Sequence, residues 1–271
     1  NGRFLARVQG PVSGNVLLRR EQYRRADALA GAAEIARAVV AGKTANCRTV
    51  LKRAARDRPE DPGSVELENA AQELARTLED LQGRPDLERV RGLEGEAARV
   101  YFGVFDRLVT AQKEDFFFHQ RSRRPPLDNL NSLLSFHYTL LAHDTAAALE
   151  TIGLDPAVGF LHRDRPGRPG LALDLMEELR PILADRPALA LVNRRQVNPS
   201  GFTKTETGAV LMDSETRKTV LVNYQKRKQE EIRHPFLDEK IEVGLLPFVQ
   251  AMLLARHLRG DLDGYPPFLW K

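Results

Sequence analysis

The sequence predicts a mainly α-helical chain, with a fragment of β structure at its front and a small hairpin-like insertion over residues 200–224. Three observations carry that expectation. Apolar residues recur at helical spacing through most of the 271 residues. The first twenty residues alternate instead, with Phe4, Ala6 and Val8 set against Arg3 and Arg7 ahead of the turn-rich "QGPVSGN". The stretch "SGFTKTETGAVLMDSETRKTVLVNY" is rich in Thr and Val among turn residues, as a hairpin is.

In order along the chain, residues 1–18 read as one or two strands. Two short strands do not support a sheet alone, so their partners are expected upstream or on another subunit. The chain also lacks an initial methionine and reads as cut from a longer protein. From Arg20 the spacing turns helical, with Leu29, Ala33, Ala36 and Val40 on one stripe. "RDRPEDPGS" reads as a loop, and "SVELENAAQELARTLEDLQG" as an amphipathic helix closed by Gly83. The helix of "DLERVRGLEGEAARVYFGVFDRLVTAQ" follows, then a loop rich in Pro and Arg through Pro126. "LDNLNSLLSFHYTLLAHDTAAALETIG" is a long apolar helix ending at Gly153, and "LDEKIEVGLLPFVQAMLLARHLRG" a final helix before the irregular tail "DGYPPFLWK".

Bulk composition narrows the classes. No run of about 18 apolar residues exists, so no membrane span is expected. One cysteine, Cys47, excludes a disulfide framework within the chain and a cysteine-rich zinc site, fits a reducing cytoplasm, and reads as a packing residue. The formal net charge of +4 is moderate. The arginines cluster, however, in "LLRREQYRR", "HQRSRRPP" and "HRDRPGR". Guanidinium forks suit phosphate oxygens, which makes Arg121, Arg123, Arg124, Arg163, Arg165 and Arg168 candidates for DNA, against the plainer reading of solvated surface. There is no GxxxxGK[ST], GxGxxG, HExxH or GxSxG. Phe116, Phe117 and Phe118 read as core, with a base-stacking wedge as the alternative.

On a helical wheel Ala97, Tyr101, Val104 and Leu108 share a stripe, and three residues back lies Glu94. A carboxylate on a buried stripe needs a cation, a metal or hydrogen-bond donors; the alternative is a helix-start cap. Asp174 and Glu177, three apart, share a helix face opposite Leu175, Leu179 and Ile182, with Arg180 three beyond. By itself that is a solvated acidic face with an intrahelical ion pair. His162 stands before "RDRPGRPG", whose prolines and glycines let the loop turn back toward that helix. Taken together, two carboxylates and an imidazole from separate helices form a mixed oxygen–nitrogen set suited to Mg²⁺ or Mn²⁺, able to act on a phosphodiester.

"GLEGEAARVYF", "LDNLNSLLSFHYTLL", "GFLH" followed by "LALDLMEELRP", and the closing "YPPFLWK" closely resemble the CRISPR-associated integrase family, the larger protein of the spacer-acquisition complex, in its subtype I-C branch. The resemblance implies an N-terminal β domain, of which residues 1–18 would be the remnant, and an α-helical catalytic domain over 19–271. It puts the family's metal ligands on Glu94, His162 and Glu177, with Asp174 as an accompanying acid beside the metal. Arg180 would contact DNA, and Asn131 and Tyr138 would pack near the site in support. It further implies Mg²⁺ or Mn²⁺ as cofactor and a prokaryotic, cytoplasmic homodimer. Its partners would be a small CRISPR-associated adaptation subunit ("Cas two") and an end-trimming CRISPR-associated nuclease ("Cas four"). The activity implied is joining the 3′-hydroxyl ends of captured DNA into the CRISPR repeat array by transesterification. A non-catalytic DNA-binding scaffold and a general metal-dependent nuclease on branched DNA are the rival expectations.

Overall fold

The computed structural model describes residues 15–270. The strand expectation for residues 1–14 lies outside them, and residues 16–18, assigned with it, are helical. The order is α1 (Val16–Asp27), α2 (Leu29–Asp57), α3 (Gly63–Gln82), α4 (Leu87–Gly103), α5 (Asn129–Ile152), α6 (Gly170–Glu177), α7 (Arg186–Asn193), β1 (Phe202–Lys204), β2 (Val210–Met212), α8 (Ser214–Lys228), β3 (Glu231–Arg233), β4 (Lys240–Glu242) and α9 (Leu246–Arg259). A single π-helical turn, Pro181–Asp185, joins α6 to α7. The mainly α class expected from periodicity holds.

Local chemistry sets most boundaries. Asp86, Asp128 and Asp213 cap α4, α5 and α8 by accepting the backbone N–H of Arg89, Asn131 and Thr216 at 2.8, 2.7 and 2.7 Å. Gly153 and Gly260 end α5 and α9 at φ of 93° and 83°. The amphipathic α3 buries Leu67, Ala70, Ala71, Leu74 and Leu81.

Four boundaries differ from expectation. The helix read through Gln112 ends at Gly103, with a 3₁₀ turn over Phe105–Leu108 beyond it. The helix read from Arg20 breaks at Ala28, which is extended, and Leu29 is 74% exposed rather than on the buried stripe. The hairpin over 200–224 is confined to β1 and β2, paired antiparallel with Phe202 opposite Met212; its second half is α8, started by the Asp213 cap. The final helix begins only at Leu246, because residues 231–242 form a second hairpin with Ile232 opposite Ile241. Three-residue strands leave too short an alternation to read. Among the described residues no helix is long and apolar enough to cross a membrane.

The core comprises three apolar clusters. One gathers Val39 and Val40 of α2, Val90 and Leu93 of α4, and Leu171 and Leu175 of α6 against α9. The second gathers Cys47 and Leu51 of α2, Ala97 and Tyr101 of α4, and the first half of α5. The third holds Met176, Leu179 and Ile182 against Phe268 of the tail. Between the first two, the stripe of α2 is interrupted at Lys43 and that of α4 at Glu94. The two helices thus carry their charges at the same level, where one cluster gives way to the next. Gly42 in α2 lets the tail pack at that level: a Cβ there would lie 2.8 Å from Cβ of Pro267.

Candidate metal centre

The seam between clusters gathers four chain segments. Helix α2 brings Lys43, α4 brings Glu94, α6 brings Asp174 and Glu177, and the loop after α5 brings His162. The Lys43 ammonium donates to Glu94 Oε1 in a short contact, and its Nζ lies 2.7 Å from Glu177 Oε2. Both contacts are ion pairs inside the protein. Glu177 Oε1 pairs with Arg180 Nη1 at 2.7 Å and stands 3.9 Å from His162 Nε2. The intrahelical ion pair expected from spacing is therefore present. The solvated face is not: Asp174 and Glu177 are each 1% exposed, because α2 and the His162 loop cover them.

Burial alone would push the Glu177 carboxyl up, but Arg180, Lys43 and His162 together outweigh it and hold the group down at about 2. Burial likewise pulls Lys43 down, and Glu177 with Glu94 more than reverses this, keeping it above the usual lysine range. Both partners are ionised at neutral pH. A buried ion pair of this kind repays its desolvation only while every member is matched.

Asp174 is committed to the loop rather than to a cation. Its Oδ2 accepts the backbone N–H of Phe160 and Leu161 at 2.6 and 2.9 Å, and its Oδ1 accepts the backbone N–H of His162 at 2.9 Å. Oδ1 also lies 2.6 Å from His162 Nδ1. With a carboxylate there, Nδ1 donates to Asp174, and Nε2 is the ring nitrogen that faces Glu177. Gly159 permits the approach, since a Cβ would sit 2.6 Å from Asp174 Oδ2.

As these side chains stand, no three His, Cys, Asp and Glu groups among the described residues are spaced to hold a metal ion. Glu94 and Glu177 converge instead on an ammonium. The donor chemistry nonetheless fits a divalent ion: two carboxylates already face one cation, and an imidazole nitrogen stands 3.9 Å from Glu177 Oε1.

The expected arginines divide. Arg163, 67% exposed, pairs with Glu88 at 2.8 Å. Arg123, Arg124 and Arg165 are exposed. Burial lowers Arg168, and Arg165, Arg123 and Arg124 lower it further, so the two arginine loops lie close enough to repel each other. Arg121 is held by Asn131 Oδ1 at 2.7 Å and Ser135 Oγ at 3.1 Å, with its guanidinium 5.0 Å from the Tyr138 ring centre. Arg180 lies 4.9 Å from the same ring, and Tyr138 donates to Asp185 Oδ1 at 2.7 Å. Burial pushes Asp185 up to about 6 despite Tyr138 and Arg180. Asn131 also donates to Gln120 O at 2.9 Å, fixing the loop that carries Arg121. Cys47 is buried, as are Phe116 and Phe118, while Phe117 is 38% exposed.

Sequence reasoning missed Lys43 and Asp185. The signal for Lys43 was the one used for Glu94: Ala36, Val40, Lys43, Cys47 and Val50 follow one stripe of α2, so a charge falls on a buried face.

The chain as a whole resembles known proteins. It is 56% identical over 271 residues to the CRISPR-associated endonuclease Cas1 1 of Chlorobaculum tepidum, covering 100% of this chain and 79% of that protein. It is 36% identical over 275 residues to a CRISPR-associated exonuclease Cas4/endonuclease Cas1 fusion of Geobacter sulfurreducens, covering 99% of this chain and 48% of the fusion. Among solved structures, a casposase bound to integration product superposes with a TM-score of 0.83 at 22% identity, over 100% of this chain and 73% of that one. A Cas6-RT-Cas1–Cas2 complex superposes at 0.80 and 25% identity, over 100% of this chain and 28% of that one. The family model for CRISPR associated protein Cas1 matches residues 1–226. With most of its length matched by that model, and identity above half to a relative along all of it, this chain belongs to the Cas1 family of CRISPR-associated proteins.

Proposed function

We propose that this chain is a metal-dependent DNA integrase and endonuclease of spacer acquisition, joining the 3′-hydroxyl ends of captured DNA into the CRISPR repeat array. The observation that carries the reading is the convergence of Glu94 and Glu177 on one cation position beside His162 Nε2. The names of the relatives, endonucleases of the Cas1 family, support it.

Glu94, Glu177 and His162 Nε2 would hold Mg²⁺ or Mn²⁺. The ion, when bound, supplies charge for the phosphorane-like transition state and for the attacking oxygen. Asp174 fixes the imidazole with Nδ1 protonated. Lys43, which now stands between the acids, would give up that place to the ion. The three acids Glu94, Asp174 and Glu177 against Lys43 and Arg180 give the pocket a formal charge of −1, so a divalent ion turns it to +1, matched to one phosphodiester. Arg180 and Arg121, set by the Tyr138 ring, orient the DNA backbone. In the joining step the 3′ oxygen forms a bond to phosphorus as the target's own 3′ oxygen leaves. A proton departs from the first and reaches the second. One ester replaces another, so no nucleoside triphosphate is consumed.

The assembly we infer is a homodimer with the Cas2 subunit, and a Cas4 nuclease trims the captured ends. Both partners appear in the names of similar proteins, as a Cas1–Cas2 complex and a Cas4/Cas1 fusion.

Glu94→Gln tests the reading. Joining of a 3′-hydroxyl oligonucleotide to a repeat duplex is expected to fall at least about a hundredfold, with DNA affinity nearly unchanged. Joining that persists in the variant favours a scaffold. Hydrolysis of branched DNA without joining in the wild type favours a general nuclease.

A further inference from the structure

A second charged recess lies away from the acids. A cavity of about 360 Å³ is lined by Arg53, Arg56, Arg58, Arg186 and Arg194 around Trp270, with Asp57 as its acidic lining residue. None of Lys43, Glu94, His162, Asp174 and Glu177 lines it.

The recess is built from the interior outward. Buried Asn46 of α2 accepts the Trp270 backbone N–H at 2.7 Å and donates to Phe268 O at 2.8 Å, so the tail is pinned and the indole is placed. The guanidinium carbons of Arg53 and Arg186 then lie 3.8 and 4.2 Å from the indole ring centre. Arg186 starts α7 and is half-buried. Burial, with Arg227 and Arg53 beside it, pulls it down to about 10. The attractions it feels come from Glu230, already paired with Arg227, and from Tyr101. Asp57 is taken as well, 3.6 Å from Arg56, and Arg58 turns to Asp61 at 3.3 Å. Arg194 is exposed at the rim. A half-buried guanidinium that faces two other guanidiniums, with Asp57 and Glu230 among the described residues paired elsewhere, is stabilised by an anion entering the recess.

We propose that this recess is a second DNA-binding site, in which Arg186 and Arg194 hold a backbone phosphate beside Trp270. It rests on the DNA reading above and extends it to a surface that does not contain the acids. The arginine fork donates to two oxygens of one phosphate, and the indole adds apolar surface for the adjoining sugar or base. The contact carries no sequence information, as suits a grip on arbitrary captured DNA.

Trp270 is the sole tryptophan of the 271 residues, so its fluorescence reports the recess alone. A blunt DNA duplex is titrated into the full chain in EDTA, with Trp270 emission and the anisotropy of the labelled duplex read together. The emission is expected to change saturably with the same midpoint as the anisotropy. Arg186→Gln and Arg194→Gln should each weaken binding about tenfold and lower the salt slope by about one, and Arg186→Lys should recover part of the loss. Inorganic phosphate at the same phosphate concentration should leave emission unchanged; saturation by phosphate without a response to DNA would assign the recess to a small anion and overturn the proposal. Anisotropy without any Trp270 response, or unchanged affinity in both glutamine variants with Arg194→Gln folded as judged by its melting curve, overturns it too. Joining activity measured in parallel separates the two readings: intact joining with a silent recess removes this site alone, and a responsive recess without joining removes the integrase reading alone.

Discussion

Glu177 and Glu178 are consecutive, both at the end of α6 and both inside the protein, at 1% and 0% exposure. They nevertheless sit at opposite ends of the carboxylate range, at about 2 and about 7. Successive helical residues point about 100° apart, and here that angle separates two environments. Glu177 faces Arg180 and Lys43. Glu178 faces neutral donors: Gln250 Nε2 at 2.9 Å, the Phe268 backbone N–H at 2.8 Å and, in a short contact, the Tyr265 hydroxyl. For Glu178, burial outweighs those hydrogen bonds and raises the group. Depth does not decide the charge of a buried acid; the formal charge of its neighbours does. One acid is kept ionised where a cation is needed, and the other pins the tail.

The strongest way to break that contrast is to remove the cation. Lys43→Met leaves Glu94 and Glu177 facing each other in the seam, and should cost about 3–5 kcal/mol in urea unfolding measured in EDTA. Added Mn²⁺ should restore much of it. Unchanged stability in EDTA would mean that Lys43 does not hold the acids.

Next comes the neutral side. The Glu178 carboxyl keeps its proton to about 7 in the folded chain, against 4.5 in the ordinary state. Between those values the folded state binds more protons, so stability falls as pH rises across that window. In Glu178→Gln this loss disappears, and the two stability–pH curves should diverge by at most about 3 kcal/mol. Parallel curves would contradict the assignment. Glu177 runs the other way, its contribution vanishing only as pH falls from 4.5 toward about 2.

A smaller effect is expected where the tail meets α2. In Gly42→Ala the new methyl meets Pro267 and the Glu178 side chain, a steric cost of about 1–3 kcal/mol in thermal unfolding. Charge at Glu177 is untouched, so joining at low temperature should stay near the wild-type rate. Arg163→Gln sets the floor: its exposed pair with Glu88 should leave the melting temperature within measurement error.

Much of this was legible in the sequence, for reasons that also mark where legibility stopped. Helical spacing carried the class, while the Asp213 cap that turns the second half of the expected hairpin into α8 went unread. The stripe through Ala97 and Tyr101 put Glu94 on a buried face. The same spacing exposed Lys43, yet a lysine among alanines and valines reads as surface unless its partner acids are known, and these lie 51 and 134 residues away. The 3-residue interval gave the shared face of Asp174 and Glu177, but periodicity does not say what covers a face, so it read as solvated. Asp174 differs most in its use: all the hydrogen bonds that engage it go to the His162 loop, a local fold that no spacing announces. The recess around Trp270 joins α2, α7 and the tail, and nothing in the sequence links them.

Crystals soaked in Mn²⁺ and measured at the manganese absorption edge test the seam most directly. An anomalous peak bounded by Glu94, Glu177 and His162 Nε2, with the Lys43 ammonium displaced from between the two acids, is the expected result. Lys43 still bridging Glu94 and Glu177 with manganese bound elsewhere, or nowhere, would contradict it.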